Sequence, residues 1–291
     1  MECILNQVDP QFDNAQGFQY RLSILLSQDG FSFLVTHAET QQALKLTSYK
    51  TLHTDFQHND SAGWPDSGDK YFNYFYDAGF SLQKWQRVDI AIATHKITVA
   101  PAAFLTLDNQ SDIMAMVHQV QPDEEIITEP VFDLGPVVAM AAPRYIPEKC
   151  KTLFPGALIH CATSVFVKGL LRQHSKIISR QIFINVHPKY FEIVVIQGLR
   201  LIYLNSFRYT AASDVLYYVI FVLEQLGFSP SEEHLTVMGE ISESDTVFTQ
   251  LKMYCGSLKT ATRPDILQFN QSYDGLSLHQ YYTLLNVALC E

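Results

Sequence analysis

Between Arg180 and Arg208 the sequence passes three times through runs of Ile, Val, Phe and Tyr, at 181–187, 190–197 and 200–208. Pro188 and Lys189 separate the first two runs, and Gly198 and Leu199 the last two. Short β-branched and aromatic runs bounded by turn residues predict antiparallel strands joined by tight turns. The same design occurs at 21–27, 31–37 and 43–49, with Gln28, Asp29 and Gly30 at its first turn. Superposed without gaps, Phe31 falls on Phe191, Leu34 on Val194 and Val35 on Val195. After the first meander, Tyr71, Phe72, Phe75 and Tyr76 recur at helical spacing, from a start near Ser67 to a stop at Gly79. Residues 87–93 then alternate as a strand. After the second meander come a helix over 212–226 stopped by Gly227, a strand over 235–239 and a helix over about 243–254. A β-β-β-α-β unit written twice predicts an α/β protein with mixed sheets.

The remaining segments are less regular. Residues 1–19 carry no periodicity and read as a loose tail or an added edge segment. An inserted subdomain is expected over about 101–135, with a short helix near 111–118. Strands at 125–132 and 137–142 meet at Leu134, Gly135 and Pro136. A helix over 146–154 carries Pro147 in its first turn, where a missing N–H costs nothing. A brief buried strand at 157–160 and a helix over 161–173 lead into the second meander. Residues 276–289 read as an amphipathic helix with Tyr281, Leu284, Leu285 and Ala288 on one face. The expected division is a tail at 1–19, a first domain at 20–160 and a second at 161–291.

Composition narrows the partners. Hydrophobic residues make up 47%, an ordinary share, but charged residues only 17%, below the usual quarter. Either a subunit interface replaces part of the surface charge, or the surface is simply rich in uncharged polar residues. The net charge is −10 and no run of Lys or Arg occurs. Nucleic acid and anionic membrane surfaces are therefore not expected as direct partners, because both are bound through basic patches. The 5 cysteines are scattered with no C-x-x-C spacing, which argues against a disulfide framework and against a zinc site. The first twenty residues hold no apolar core of a signal peptide, and the longest apolar run, 215–223, is too short to span a bilayer. A cytoplasmic protein without membrane insertion is expected.

Smaller constellations read as structure. His53, Asp55 and His58 have metal-capable side chains, but on a polar loop without a further Cys or Glu nearby. The aromatic stripe of Tyr71, Phe72, Phe75 and Tyr76 reads as a core face, and His160 with Cys161 as a core pair, not a base and nucleophile. None of the patterns G-x-S-x-G, G-x-x-x-x-G-K-[ST], H-E-x-x-H or G-x-G-x-x-G occurs.

The element order and the two hairpins resemble the actin-like ATPase superfamily, which includes actin and the sugar kinases. The hairpin through Asp29 and Gly30, and the turn through Gly198, Leu199, Arg200 and Leu201, look most like its bacterial pilus-assembly and secretion members. Together with the ending Leu289, Cys290, Glu291, the pattern is similar to a bacterial domain-of-unknown-function family with this fold. The resemblance covers about 20–290 and implies two ribonuclease-H-like domains closing over a nucleotide.

It also implies phosphates held in two glycine-rich turns, each with an Asp at the end of the preceding strand to organise Mg²⁺ and water. This chain departs from that pattern. The first turn keeps Gly30, but Asp29 sits at its tip as a turn residue and 23–27 contains no Asp. In the second, Asn185 stands about where the Asp belongs, and His187, Pro188, Lys189 and Tyr190 include no glycine. The adenosine-binding pair of glycines is reduced to Gly239, followed by Glu240. The expected site is thus a vestigial nucleotide cleft of Asp29, Gly30, Asn185, Lys189, Gly239 and Glu240, with no catalytic residue, metal or cofactor. Gly239 and Ser242 remain able to line a small-molecule site between the domains. The reading is of a non-catalytic actin-like module that binds a protein partner or a second copy of itself, with its many aromatics (15 Tyr, 19 Phe) as contact residues. The alternative is an ATP-binding switch or ATPase with an unorthodox interdomain site, in which Lys189 neutralises phosphate and Mg²⁺ accompanies ATP.

Overall fold

The computed structural model describes residues 1–51, 64, 72–75, 80, 84–132 and 135–290. Its strands are β1 (Glu2–Val8), β2 (Tyr20–Ser27), β3 (Gly30–His37), β4 (Ala43–Lys50), β5 (Arg87–Ile92), β6 (Ile97–Pro101) and β7 (Glu124–Pro130). They continue as β8 (Pro136–Pro143), β9 (Leu158–Cys161), β10 (Arg180–Val186), β11 (Tyr190–Gln197), β12 (Arg200–Arg208), β13 (His234–Gly239) and β14 (Ser257–Thr260). The helices used below are α1 (Gln110–Val117), α2 (Tyr145–Leu153), α3 (Ala162–His174), α4 (Ala212–Gln225), α5 (Thr246–Tyr254) and α6 (Tyr282–Val287).

One sheet runs in the order β1-β4-β3-β2-β5-β9 and another β12-β11-β10-β13-β14. Leaving β1 aside, the two share order and sense: an antiparallel meander followed by two parallel strands. Phe31 pairs with Leu26 and Phe191 with Val186, so the residues aligned by sequence occupy matching rungs. A third sheet, β6-β8-β7, spans Ile97 to Pro143 and carries α1 on its surface, reaching beyond the insertion expected at about 101–135.

Of the two readings of 1–19 one holds for its first strand, and the expectation for 276–289 changes. Residues 2–8 are not a loose tail but the added edge, an antiparallel strand on β4. An edge strand with most of both faces in solvent needs no apolar alternation, so its sequence carries no strand signal. At the other end, 276–289 does not form one amphipathic helix. A 3₁₀ turn (Leu278–Tyr281) leads into α6, in which all six residues are buried. The reason is its position. α6 packs against α3, against β2, β3 and β5 of the first sheet, and against β13 of the second, so it has no solvent face.

Strand alternation arranges the rest. On β10 and β11, Ile182, Ile184, Val186, Phe191, Ile193 and Val195 face an outer core closed by α4 and α5. The opposite parity, Phe183, Val194 and Ile196, joins a core shared with Phe166 and Leu170 of α3, Tyr282 of α6 and strands of the first sheet. Asn185 and Glu192 have that inner parity too, and therefore lie between the two sheets. Residues 72–75 are helical, with Phe72 and Phe75 buried and Phe75 stacked on Phe31 at 4.3 Å, as a core face requires. Tyr71, Tyr76 and Gly79 lie outside the described residues, as do His53, Asp55 and His58.

Where α3 crosses α6 the contact is very close. A Cβ built on Gly169 would lie 2.2 Å from Oδ1 of Asn286, whose buried amide is itself held by the Tyr282 carbonyl at 2.9 Å. Alanine in place of a mid-helix glycine ordinarily stabilises by about 1 kcal/mol. Here the sign reverses: Gly169→Ala is expected to destabilise by about 1–3 kcal/mol through overpacking, read as a lower denaturant midpoint at unchanged slope.

Candidate functional site

The residues expected to form a cleft lie at and near the tips of the two meanders. On the first, Ser27 and Gly30 close a two-residue turn, with the Ser27 hydroxyl donating to the Gly30 carbonyl at 2.9 Å. The Asp29 carbonyl accepts from both the amide and the hydroxyl of Thr51, each at 2.8 Å. Gly30 is needed for backbone proximity: a Cβ there would lie 2.1 Å from the Tyr49 carbonyl oxygen. The glycine is thus explained by its neighbour strand without invoking a phosphate.

The second tip is filled by its own side chains. The His187 ring stacks on Tyr190 with centroids 4.2 Å apart and planes within 10°. Tyr190 is buried, and loss of solvent, reinforced by the Glu192 carboxylate, pushes its phenol well above the ordinary range. Pro188 has no N–H, and the His187 amide donates to the Tyr190 carbonyl at 2.9 Å. Few backbone donors remain to meet an anion. Lys189 is exposed beside this turn, with its carbonyl accepting from the Tyr209 amide at 3.2 Å.

The third position is closed by backbone. Gly239 has φ +82 and presses on β10, so that a Cβ would fall 2.2 Å from the Val186 carbonyl oxygen and 2.7 Å from Asn185 Oδ1. The Glu240 amide donates to that Val186 carbonyl at 2.7 Å, and the Ser242 amide to Asp245 Oδ2, also at 2.7 Å.

Charge gathers at the mouth. Lys50, at the end of β4, forms an ion pair with Glu240, beyond the end of β13, and so links the two meander units. Burial pushes the Glu240 carboxyl upward and Asp29 beside it adds to the rise, partly offset by Lys50. Behind the mouth lies Glu192, 2% exposed, which accepts from the Asn185 amide at 2.7 Å and from the Thr163 hydroxyl at the start of α3. His187 Nε2 stands 3.4 Å from the same carboxylate and 3.0 Å from the Asn185 amide nitrogen, and Thr283 of α6 is 3.5 Å from that nitrogen.

Of the six residues singled out in the sequence, Asp29, Gly30, Asn185, Gly239 and Glu240 lie at or behind the ends of β2, β10 and β13, and Lys189 stands exposed at the second turn. Sequence reasoning missed Lys50, Glu192, Thr163 and Thr283. Only Glu192 left a mark, as a single carboxylate inside the apolar run 190–196 and directly across the ladder from Asn185. Among the described residues no group of three His, Cys, Asp or Glu is placed to hold a metal ion.

His160 and Cys161 do not form a nucleophile and base. Complete burial pushes the Cys161 thiol up to about 12, so the thiolate is absent at neutral pH. His160 Nε2 lies 3.0 Å from Asp89 Oδ1 and its Nδ1 3.3 Å from Glu129 Oε1. Burial alone would lower its pKa, but these two carboxylates raise it to about 9.

With the geometry in view, the class is plain: two sheets of matching order, joined by central helices, form an actin-like ATPase fold. A Bacteroides thetaiotaomicron protein with actin-like ATPase fold and unknown function superposes with a TM-score of 0.79 at 20% identity, covering 97% of this chain and 100% of that one. A chain of the PilM–PilN type IV pilus biogenesis complex superposes with a TM-score of 0.64 at 11% identity, covering 92% and 97%. The chain belongs to the family described as Protein of unknown function (DUF3822), whose sequence pattern matches residues 9–258. No curated protein matches it.

Two measurements test this account of the site. Gly239→Ala combines a left-handed backbone with a blocked contact and is expected to cost at least about 1–3 kcal/mol in chemical denaturation. For His160 the folded pKa, about 9, stands above the ordinary 6.5, so the stabilisation it supplies is complete below 6.5 and disappears as pH rises through 9. The melting-temperature gap between the parent protein and His160→Asn is therefore expected to be widest near pH 6 and to narrow toward pH 10.

Proposed function

We propose that the protein is a non-catalytic actin-like module that works by binding another protein or a second copy of itself. The observation that carries this reading is the occupancy of the three turns where the fold would meet a nucleotide. Tyr190 and His187 fill the second tip, the Gly239 backbone is pressed onto Val186, and carboxylates stand at the mouth in Asp29 and Glu240. A polyphosphate entering there meets negative charge and few unused backbone donors.

The surface favours association. Phe104 and Leu107 are 68% and 80% exposed, and Met116 and Val117 on α1 are 80% and 59% exposed, all within the third sheet's segment. Apolar side chains gathered in one segment favour contact with protein. PilM, which shares the fold, is found in a complex with PilN. In this reading residues 20–160 and 161–291 are the two domains and the cleft residues named above are a vestige. The net charge of −10 disfavours nucleic acid, and the site of action is the cytoplasm. Among the described residues no helix is long and apolar enough to cross a membrane.

A second reading, an ATP-binding switch, draws on one observation: Asp29 and Lys50 from one unit and Glu240 from the other converge at one mouth, where a magnesium nucleotide would bridge them. The primary reading is tested by light scattering after size exclusion and by affinity capture, comparing the parent chain with a Phe104→Ser/Met116→Ser variant. Self-association or specific capture that weakens at least about tenfold in the variant is expected. A strict monomer at every concentration, with no protein retained, contradicts it.

A further inference from the structure

At the end of the first sheet opposite the Asp29–Gly30 turn, a second group of charges is assembled that the cleft does not use. Arg21 on β2 and Arg87 on β5 are direct partners across a parallel ladder. Their side chains therefore leave the same face of the sheet, about one strand spacing, ~4.8 Å, apart. Like charges in that relation repel, and the pair is unfavourable unless anions sit with it. Asp89, two residues beyond Arg87 on that face and 1% exposed, supplies one. It receives Arg87 Nε at 2.7 Å and Nη2 at 2.8 Å, while Arg21 Nη2 is 3.8 Å away.

Asp89 is not theirs alone. It is shared with His160, which also contacts Glu129, and Glu129 in turn holds Lys168 Nζ at 2.6 Å. With the imidazole raised to about 9, the cluster at neutral pH sets, among the described residues, Arg21, Arg87, His160 and Lys168 against Asp89 and Glu129. Two positive charges are left over, in a chain whose net charge is −10.

The excess faces an opening. Arg21, Ala38, Gln86 and Arg87 line a pocket of about 520 Å³, within the size range of small-molecule sites. A guanidinium carries five N–H donors. Arg87 commits two of them to Asp89, and Arg21 one to the Cys290 carbonyl at 2.6 Å. Their other donors have no protein acceptor among the described residues. Planar N–H forks with a surplus of two charges match a tetrahedral dianion better than a single carboxylate.

We propose that this pocket binds a phosphate group, as free phosphate or as a phosphate monoester, between the guanidiniums of Arg21 and Arg87 with the Gln86 amide as a further donor. The site is separate from the vestigial nucleotide cleft: six residues of β2, about 20 Å of strand, lie between Arg21 and the Asp29 turn. Phosphate there relieves the Arg21–Arg87 repulsion, so binding and folding stability are coupled.

The test is thermal unfolding and calorimetric titration of the full chain at constant ionic strength with inorganic phosphate, glycerol 3-phosphate, succinate or chloride. A saturable rise in melting temperature with phosphate or the monoester, absent with chloride, is expected. Monoester affinity at least about tenfold above that of phosphate assigns an organic ligand, and equal affinities assign the free ion. Arg21→Gln is expected to weaken binding at least about tenfold. Because Arg21 also holds the Cys290 carbonyl, Gln86→Glu at an exposed position serves as the variant that leaves folding intact, and it is expected to abolish the response. No saturable response, a response to succinate as strong as that to phosphate, or phosphate binding unchanged in Gln86→Glu overturns the proposal.

Discussion

The structure depends on the burial of α3 and α6 between two sheets. Each helix is apolar on more than one side because each has a sheet on more than one side, and neither would be stable alone in water. Their crossing is tight enough to require Gly169 against Asn286. The polar groups caught in the same layer follow from that burial. Glu192, Asn185, Thr163 and Thr283 sit among Phe166, Phe183, Val194 and Tyr282, so they must satisfy one another, and they do. A buried carboxylate with its oxygens occupied by an amide and a hydroxyl ties β10, β11 and α3 together, and the same Asn185 amide reaches Thr283 of α6.

That connection bears on function. On the proposed reading a nucleotide would lie where the two units face each other, and that region is taken up by the protein's own contacts. Lys50 reaches Glu240 across the mouth, the second tip is packed by His187 on Tyr190, and Gly239 serves a backbone approach instead of a ligand. Phe104, Leu107, Met116 and Val117, the exposed apolar side chains on and near α1, lie elsewhere, and the surplus of positive charge lies at the far end of the first sheet.

Much of the fold was legible in the sequence because it is written in local terms. Strands with one or both faces buried announce themselves by Ile, Val and Phe runs, and their turns by Asp29-Gly30 or Gly198. The edge strand β1 was not legible, since a strand with both faces largely in solvent needs no pattern. Nor was α6, whose surroundings come from five separate elements and cannot be read from its own residues. The same distinction holds at the site. Gly30, Asn185 and Gly239 could be found by expecting glycines and an Asp at known places in the chain. Lys50, Thr163 and Thr283 could not, because their meaning arises only when distant segments meet. Arg21 and Arg87, 66 positions apart, are neighbours only through strand pairing.

On the proposed reading the protein's own groups close the region between the units to nucleotide. Isothermal titration of the full chain with ATP and Mg²⁺ to millimolar concentration tests it most directly. The account predicts no saturable heat attributable to the cleft, and the same trace for the parent chain and for Lys50→Ala. Saturable, magnesium-dependent binding that is lost in Asp29→Asn would contradict it, and would return the protein to the nucleotide-dependent members of its fold.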